Sequence, residues 1–482
     1  MFSKLVVPLL VVLLVFTRFY GLNWGNGFFF QPDENNMGMA VSRLSFNNLN
    51  PDFFAYGQFP LYLSFFSLKI LGIANSFINS IYILRFWSAV FSVLGIISLY
   101  LFFKNKLFLL LLIFSPGLIQ IAHFGTTESL LFFVFTANLY LSRKKSVFLV
   151  ALISGLGIAT KISAIFFILP VVLSLRPKKI VIFLILTAFF TALLSPYNIV
   201  SFQDFISSMN YETGVATGKI AVFYTRQFIN TTPYLFQFTH IFPYTSGLPV
   251  FILAVIGFFL LFTKYHVPRS KYLVISLSCL IYFLYFGQLF TKWTRFMSPI
   301  FFVFPLLASL VINKIKIYPL KIVLIIICLL PGLSFFRIYL QNDIRQTASV
   351  WLNNNLPVNS NILSEGGNVV NLPLFNNRNL DVTNFDFYNL DYDPVLQSQL
   401  PDLVSTVDYV LIPSRRIFMN QDNPHFSSSQ SYYQALFSGQ SGFKLTKTFS
   451  LHNNFILNDE LAEETWTVFD RPTIRLYKKM TP

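Results

Sequence analysis

Two adjacent carboxylates, Asp33 and Glu34, are the first residues in this chain whose types and spacing could do chemistry. They lie in QPDENNMGMAVSRL, directly after Pro32 and before a helix-like stretch. Paired carboxylates can serve as a general base and as a ligand for a metal or a hydroxyl group. The alternative is that one of them caps the following helix, a role that acidic residues often fill. The spacing alone leaves both interpretations open.

Several further ionisable residues lie within or beside long apolar runs, where a charge is unfavourable enough to indicate a function. They are Arg85, His123, Glu128, Lys161, Lys292 and Arg295. Lys292 and Arg295 are three residues apart, which on a helix would put both cations on one face. Cations at an outer surface can hold a phosphate or pyrophosphate group. The alternative is that these side chains only reach towards the membrane interface as ordinary charges.

The sequence requires no bound metal, because its histidines and cysteines show no metal-ligand spacing. These residues include His123, His240, His266, Cys279 and Cys328. The two cysteines lie in apolar runs, where we expect them to be packing residues. Carboxylate oxygens at Asp33 and Glu34 would suit Mg²⁺ or Mn²⁺, so a divalent metal cofactor there stays open.

The elements that must position these residues are apolar. Apolar residues make up 54% of the 482 positions and charged residues 11%, against roughly 25% charged in a soluble domain. We therefore predict a polytopic α-helical membrane domain over residues 1–340, with about eleven short transmembrane helices. From about Gln341 the composition becomes polar with strand-like patches, which predicts a soluble α/β domain over residues 341–482.

The net charge of +15 is gathered in Lys4 and five short basic clusters and not on a surface that would bind nucleic acid. The clusters are Lys104 and Lys106; Arg143, Lys144 and Lys145; Arg176, Lys178 and Lys179; Lys264, Arg269 and Lys271; and Lys314, Lys316 and Lys321. By the positive-inside rule these are cytoplasmic loops, which predicts a cytoplasmic N-terminus and a C-terminal domain on the opposite side. The outer loops then cover about residues 23–76 and 196–247, and the chemistry is extracytoplasmic.

An ordered set of motifs resembles the GT-C class of polyprenyl-phosphate-sugar-dependent glycosyltransferases, the protein O-mannosyltransferase and aminoarabinose-transferase-like group. The motifs are QPDENNMGMA, NPDFFAYGQFPLYL, LRFWSAVFSVLGIISLY, AHFGTTESLLFF, GLGIATKISAIFFILP, NTTPYLFQFTHIFPYTSGLP and KWTRFMSPIFFVFPLLA. The tail, from TASVWLNNNLP to PTIRLYKK, is similar to the extracytoplasmic module of bacterial phospholipid-carrier-dependent members. Two positions depart from the pattern, with Phe296 for a usual tyrosine and Glu128 for a usual aspartate.

The resemblance implies a glycosyltransferase of the cytoplasmic membrane that moves a sugar from a polyprenyl-phosphate carrier to an acceptor hydroxyl of a protein, lipid or glycan. It implies an inverting displacement with Asp33 as the catalytic base and Glu34 as its neighbour. The residues implied to bind the donor phosphate are Arg85, Lys161, Lys292 and Arg295. Those implied to contact the acceptor or a metal are Glu128 and Tyr56. The alternative function is a flippase or transporter of lipid-linked saccharides, which would use the same basic residues for the head group.

Overall fold

The computed structural model describes residues 2–144, 146–264, 269–366, 372–374, 379–451 and 457–480. The chain divides into two compact units. Unit 1 consists of Met1–Leu22, Asp33–Thr217 and Thr232–Arg337, and unit 2 of Asn23–Pro32, Gly218–Thr231 and Ile338–Pro482. Two short segments that precede residue 340 therefore fold with unit 2. Lys145 and His266, which the sequence analysis named, lie outside the described residues.

Unit 1 is built mainly from α-helices whose ends carry local signals. The helices are α1 (Phe2–Phe19), α2 (Pro32–Arg43), α3 (Phe59–Ile70), α4 (Phe77–Phe103), α5 (Lys106–Ile113), α6 (Pro116–His123), α7 (Glu128–Leu141), α8 (Val147–Ile158), α9 (Leu169–Val172), α10 (Pro177–Leu194), α11 (Tyr197–Val200), α12 (Phe202–Thr217), α13 (Phe242–Ser246), α14 (Leu248–Lys264), α15 (Arg269–Gly287), α16 (Val303–Lys314) and α17 (Tyr318–Phe336). Ser76 and Asn105 accept backbone N–H groups at the starts of α4 and α5, and prolines occupy the first turns of α3, α6 and α10. Apolar runs between such ends favour helices.

Three helices among the described residues are long and apolar enough to cross a membrane, and three bent pairs would raise the number to six. The single helices are Phe77–Phe103, Pro177–Leu194 and Tyr318–Leu340. The bent pairs are Lys106–Ile113 with Pro116–His123 (55°), Gln237–Ser246 with Leu248–Leu260 (114°), and Thr294–Ile300 with Val303–Lys314 (49°). Shorter apolar helices, such as Val147–Ile158, are also present. The total of about eleven spans stays a prediction.

The bend between α5 and α6 is stabilised by a buried arginine of α1. Because α5 ends at Ile113, its last carbonyl groups have no helical N–H partners. Arg18, which is fully buried, donates to the carbonyl oxygens of Leu112 at 3.1 Å and Ile113 at 3.0 Å. The guanidinium therefore binds two carbonyl groups at the helix break, of which that of Leu112 also accepts from the N–H of Ser115 at 3.3 Å.

Small residues allow the helices of unit 1 to pack closely. A Cβ atom at Gly95 of α4 would lie 2.6 Å from the ring of Phe132 in α7, and one at Gly155 of α8 would lie 2.5 Å from Cβ of Phe190 in α10. Small residues at such crossings bring helix backbones together. Both cysteines are buried and form no disulfide, as expected for packing residues.

Unit 2 contains a five-stranded sheet in the order β2-β1-β3-β5-β4. The strands are β1 (Asn361–Gly366), β2 (Asp381–Asp386), β3 (Tyr409–Ile412), β4 (Phe443–Phe449) and β5 (Ile474–Lys479), and the helices are α18 (Ile344–Asn355), α19 (Pro394–Thr406), α20 (Arg416–Asn420), α21 (Ser427–Ser438) and α22 (Thr465–Val468). β1, β2 and β3 are parallel to one another, and β5 is antiparallel to both of its neighbours, β3 and β4. Alternate residues enter two cores, with Ile362 on one face and Leu363 on the other. The small α/β module expected from the sequence is confirmed.

Candidate active site

The paired carboxylates lie in the first turn of α2. Pro32 starts this helix, where its fixed φ and missing N–H are tolerated. Asp33 and Glu34 follow it, so the positive end of the helix dipole stabilises both negative charges. Their surroundings differ, because the Glu34 side chain is 0% exposed and that of Asp33 is 23% exposed.

Glu34 is bound by a buried arginine and a backbone amide. Arg85 of α4 donates from Nε to Oε2 at 2.9 Å and from Nη2 to Oε1 at 2.6 Å. The N–H of Gly125, in the loop after α6, donates to Oε2 at 2.7 Å. Arg85 also donates from Nη1 to the carbonyl oxygen of Leu22 at 2.9 Å and is 0% exposed. Arg85 and Glu34 thus hold α2, α4 and this loop together, and neither side chain presents a surface to a ligand.

Asp33 instead forms a partly exposed ion pair with Arg295. Arg295 lies in the 3₁₀ helix Thr294–Ile300, and its guanidinium carbon is 4.7 Å from the ring centre of Trp293. The Arg295 side chain is 27% exposed. The Asp33 carboxylate and the Arg295 guanidinium are therefore in contact with each other and both partly accessible to a ligand.

A second cation, Lys161, lies beside this pair. Its Nζ is 4.9 Å from the ring centre of Tyr56 and 5.5 Å from that of Phe296. Arg295 approaches the same Phe296 ring, with its guanidinium carbon 6.0 Å from the ring centre. Phe296 therefore connects Lys161 to the Asp33–Arg295 ion pair.

The chain around Tyr56 is held against the residues before Lys161 by backbone contacts. The N–H of Gly57 donates to the carbonyl oxygen of Thr160 at 2.8 Å. A Cβ atom on Gly57 would lie 2.1 Å from the carbonyl oxygen of Ala159, so this approach requires a glycine. This role of Gly57 was not predicted from the sequence, although a glycine three residues before Pro60 within an aromatic stretch was the available signal.

The expectation that Lys292 and Arg295 share one helical face is wrong. Trp293 is extended, with φ −62° and ψ 140°, and the 3₁₀ helix begins only at Thr294. Lys292 precedes it, is 2% exposed and donates from Nζ to the carbonyl oxygen of Phe290 at 2.9 Å. Burial lowers the pKa of Lys292 to about 8.

Glu128 and His123 are buried on either side of the loop that contains Gly125. Glu128 is 4% exposed in the first turn of α7 and accepts from the hydroxyl of Thr127 at 3.4 Å. The ring nitrogens of His123 lie 2.8 Å from the carbonyl oxygen of Ile119 and 2.9 Å from that of Tyr20. Both residues therefore interact with protein groups.

Asp33 and Glu34 do not fit a shared metal site. The Glu34 carboxylate already accepts three hydrogen bonds, and a cation at Asp33 would have to displace Arg295. Within the described ranges, no group of three or more His, Cys, Asp or Glu residues could hold a metal ion.

No family model and no curated protein matches this sequence. Three solved structures are among those similar to this chain, each with a TM-score below 0.5. One is ArnT from Cupriavidus metallidurans bound to undecaprenyl phosphate, with 11% identity, a TM-score of 0.48 and 98% of each chain covered. The apo state of the same protein has 12% identity, a TM-score of 0.47 and coverage of 98% of this chain and 97% of that chain. The Archaeoglobus fulgidus oligosaccharyltransferase, tethered with an acceptor peptide, has 10% identity, a TM-score of 0.45 and coverage of 99% and 88%.

Proposed function

We propose that this chain is a membrane glycosyltransferase that moves a sugar from a polyprenyl-phosphate carrier to an acceptor hydroxyl. The observation that carries the proposal is the partly exposed ion pair of Asp33 and Arg295, with Lys161 on the same Phe296 ring. A carboxylate can take the proton of a hydroxyl, and two cations can stabilise a leaving phosphate. Sugar transfer from a lipid phosphate needs these two capabilities together.

In the proposed reaction, the acceptor hydroxyl gives its proton to Asp33 as its oxygen attacks the anomeric carbon of the sugar. The bond from that carbon to the phosphate oxygen breaks, and the configuration inverts. The polyprenyl phosphate leaves with the bonding electron pair, and its charge is stabilised by Arg295 and Lys161. A donor phosphate that engages Arg295 would also release Asp33 from its ion pair, so that the base is available once the donor is bound.

We assign Arg85 and Glu34 a positioning role in place of direct contact with the donor. Their bidentate ion pair holds the first turn of α2, and with it Asp33, against α4. Lys292 faces a backbone carbonyl in this structure, so we propose that Arg295 and Lys161 make the main contacts to the phosphate. Glu128 and Tyr56 stay candidates for acceptor contacts, with Tyr56 placed by its ring beneath Lys161.

We further propose that the protein lies in the cytoplasmic membrane with its N-terminus inside and its C-terminal domain outside. The basic clusters support this orientation, because Lys and Arg are enriched in cytoplasmic loops. The acidic residues Asp33 and Asp204 then lie on the outer side, where a lipid-linked donor would meet an extracytoplasmic acceptor.

The test is transfer of a radiolabelled sugar from polyprenyl-phosphate donors to a membrane extract by the purified protein. We expect Asp33→Asn to lower transfer by about 10²–10⁴-fold, the range for loss of a general base, while donor binding persists. Asp204→Asn is the matched control, since Asp204 is an exposed acid in the first turn of α12. Its transfer should equal that of the wild type.

Two other outcomes would contradict the proposal in different ways. Equal transfer by wild type and Asp33→Asn would exclude Asp33 as the base and make Glu128 the next candidate for that role. Donor binding by the wild type without any transfer would instead favour a flippase, which could be checked by movement of the lipid-linked saccharide across liposomes.

A further inference from the structure

The segment Asn23–Pro32, directly before Asp33, folds as part of unit 2. Its sequence, NWGNGFFFQP, begins with a tight turn in which the N–H of Phe28 donates to the carbonyl oxygen of Gly25 at 2.9 Å. Gly25 has φ +82°, and a Cβ atom on it would lie 2.3 Å from the carbonyl oxygen of Phe28. The turn therefore requires a glycine at position 25, and it sets the direction of the chain that follows.

Phe30 of this segment is covered by a buried arginine. The guanidinium carbon of Arg345 in α18 lies 3.4 Å from the ring centre of Phe30, and the two residues are 0% and 6% exposed. A guanidinium stacked on a ring without water between them makes a strong cation–π contact. Phe30 is thereby held at one place on unit 2.

Arg345 is itself oriented by acceptors around it. It donates from Nε and Nη2 to the two carboxylate oxygens of Asp343 at 2.8 and 2.7 Å. Nη2 also donates to the carbonyl oxygen of Phe469 at 2.6 Å. With both edges bonded, the guanidinium has one orientation, and its face is left for the Phe30 ring.

The next residue of α18 binds the turn at the start of the segment. Gln346 donates from Nε2 to the carbonyl oxygen of Gly25 at 2.8 Å and accepts from the side chain of Asn26 at 3.1 Å. Adjacent residues of one helix thus hold the segment at two points, its turn and its last aromatic residue.

We propose that Arg345 and Phe30 are positioning residues for Asp33, a role that rests on the proposed function. Phe30 precedes Asp33 by three residues, which span at most about 11 Å of chain. On the other side, Glu34 is bound directly by Arg85. Phe30 is held by Arg345 and Glu34 by Arg85, so residues on both sides of Asp33 in the chain are anchored and limit where its carboxylate can lie.

The experiment compares Phe30→Leu with Phe443→Leu in the full-length protein. Phe443 lies in the core of unit 2, is 1% exposed and belongs to a different part of the chain, so it matches the substitution without touching the segment before Asp33. We expect Phe30→Leu to lower kcat by about tenfold or more, because a 1 Å misplacement of a catalytic group can lower a rate by 10²-fold. The KM for the donor should change little, since Arg295 and Lys161 are untouched.

Two further measurements separate positioning from a general loss of stability. Phe30→Trp keeps a ring beneath Arg345 and should restore kcat towards the wild type. Hydrogen exchange in a peptide over residues 31–36 should increase in Phe30→Leu and not in Phe443→Leu. Equal losses of kcat in the two leucine variants, or no loss in Phe30→Leu, would overturn the positioning role alone, whereas absence of transfer by the wild type would overturn the proposed function and this role with it.

Discussion

Two neighbouring residues of α2, Glu34 and Asp33, each form a carboxylate–arginine ion pair, but the two pairs differ in how deeply they are buried. Glu34 and Arg85 are both 0% exposed, and Glu34 accepts a further hydrogen bond from Gly125. Asp33 and Arg295 are 23% and 27% exposed. Removing one partner of a buried ion pair strongly destabilises a protein, whereas a partly exposed ion pair contributes little to its stability. We infer that burial assigns Glu34 to structure and leaves Asp33 for chemistry.

The largest effect on stability should come from breaking the buried pair. Glu34→Gln leaves Arg85 buried without a carboxylate, which we expect to destabilise the protein by about 3–5 kcal/mol. Asp33→Asn is the matched control and should change stability by about 0–1 kcal/mol, since its pair is partly solvated. Chemical unfolding of the purified protein in detergent would measure both.

A double variant sharpens this prediction. Glu34→Leu with Arg85→Met removes both charges, so it should be more stable than Glu34→Gln alone while still losing transfer activity. Equal stability of Glu34→Gln and Asp33→Asn would contradict the distinction between the two pairs.

A smaller effect is expected from Gly125→Ala, which tests the amide that completes the site of Glu34. A Cβ atom there would lie 2.9 Å from Cβ of Leu84 and 3.2 Å from Oε2 of Glu34. Overpacking of this kind should cost about 1–3 kcal/mol. Thr126→Ala changes the next residue of the same loop without pressing on Glu34, and its thermal unfolding should stay close to that of the wild type. Similar unfolding of the two variants would argue against a tight fit at Gly125.

A prediction of a different kind concerns a buried acid, Glu365, whose nearest hydrogen-bond donor is a neutral phenol. Glu365 in β1 is 5% exposed and accepts from the hydroxyl of Tyr433 at 2.5 Å, and Arg475 pairs with Glu460. Burial raises the pKa of Glu365 to about 8. The folded state then holds a proton that the unfolded state has lost, so stability is greatest below the ordinary carboxyl pKa and falls as pH rises through about 8.

This pH dependence can be measured by heating the full-length protein with a protease and detecting peptides of unit 2 by mass spectrometry. The midpoint is the temperature at which half of unit 2 is cleaved. The midpoint for unit 2 should fall by several degrees between pH 5 and about pH 9. Glu365→Gln should show a flatter profile, because its amide does not titrate. The same slope in both proteins would show that other groups cause the dependence.

Much of the local structure could be predicted from the sequence. Pro32 and the two acids after it mark the start of α2, and the polar part of the chain after Gln341, with its strand-like patches, contains the strands β1 to β5. These signals are local, since turn residues, helix ends and side-chain periodicity act over a few positions. The expectation of a shared helical face for Lys292 and Arg295 failed for a local reason as well, because the extended conformation of Trp293 delays the helix.

The roles within the site could not be read from the sequence in the same way. Asp33 and Glu34 are equivalent by type and position, and only contacts with Arg85, 51 residues away, and Gly125, 91 residues away, distinguish them. The anchoring of Phe30 depends on Arg345, which lies beyond the whole of unit 1 in the sequence. The sequence by itself determined the apolar helices, their ends and the candidate acids and cations, because these follow from local composition. Tertiary structure alone decided which acid is buried and which cation it meets, because burial and ion pairing arise when distant segments of the chain come together.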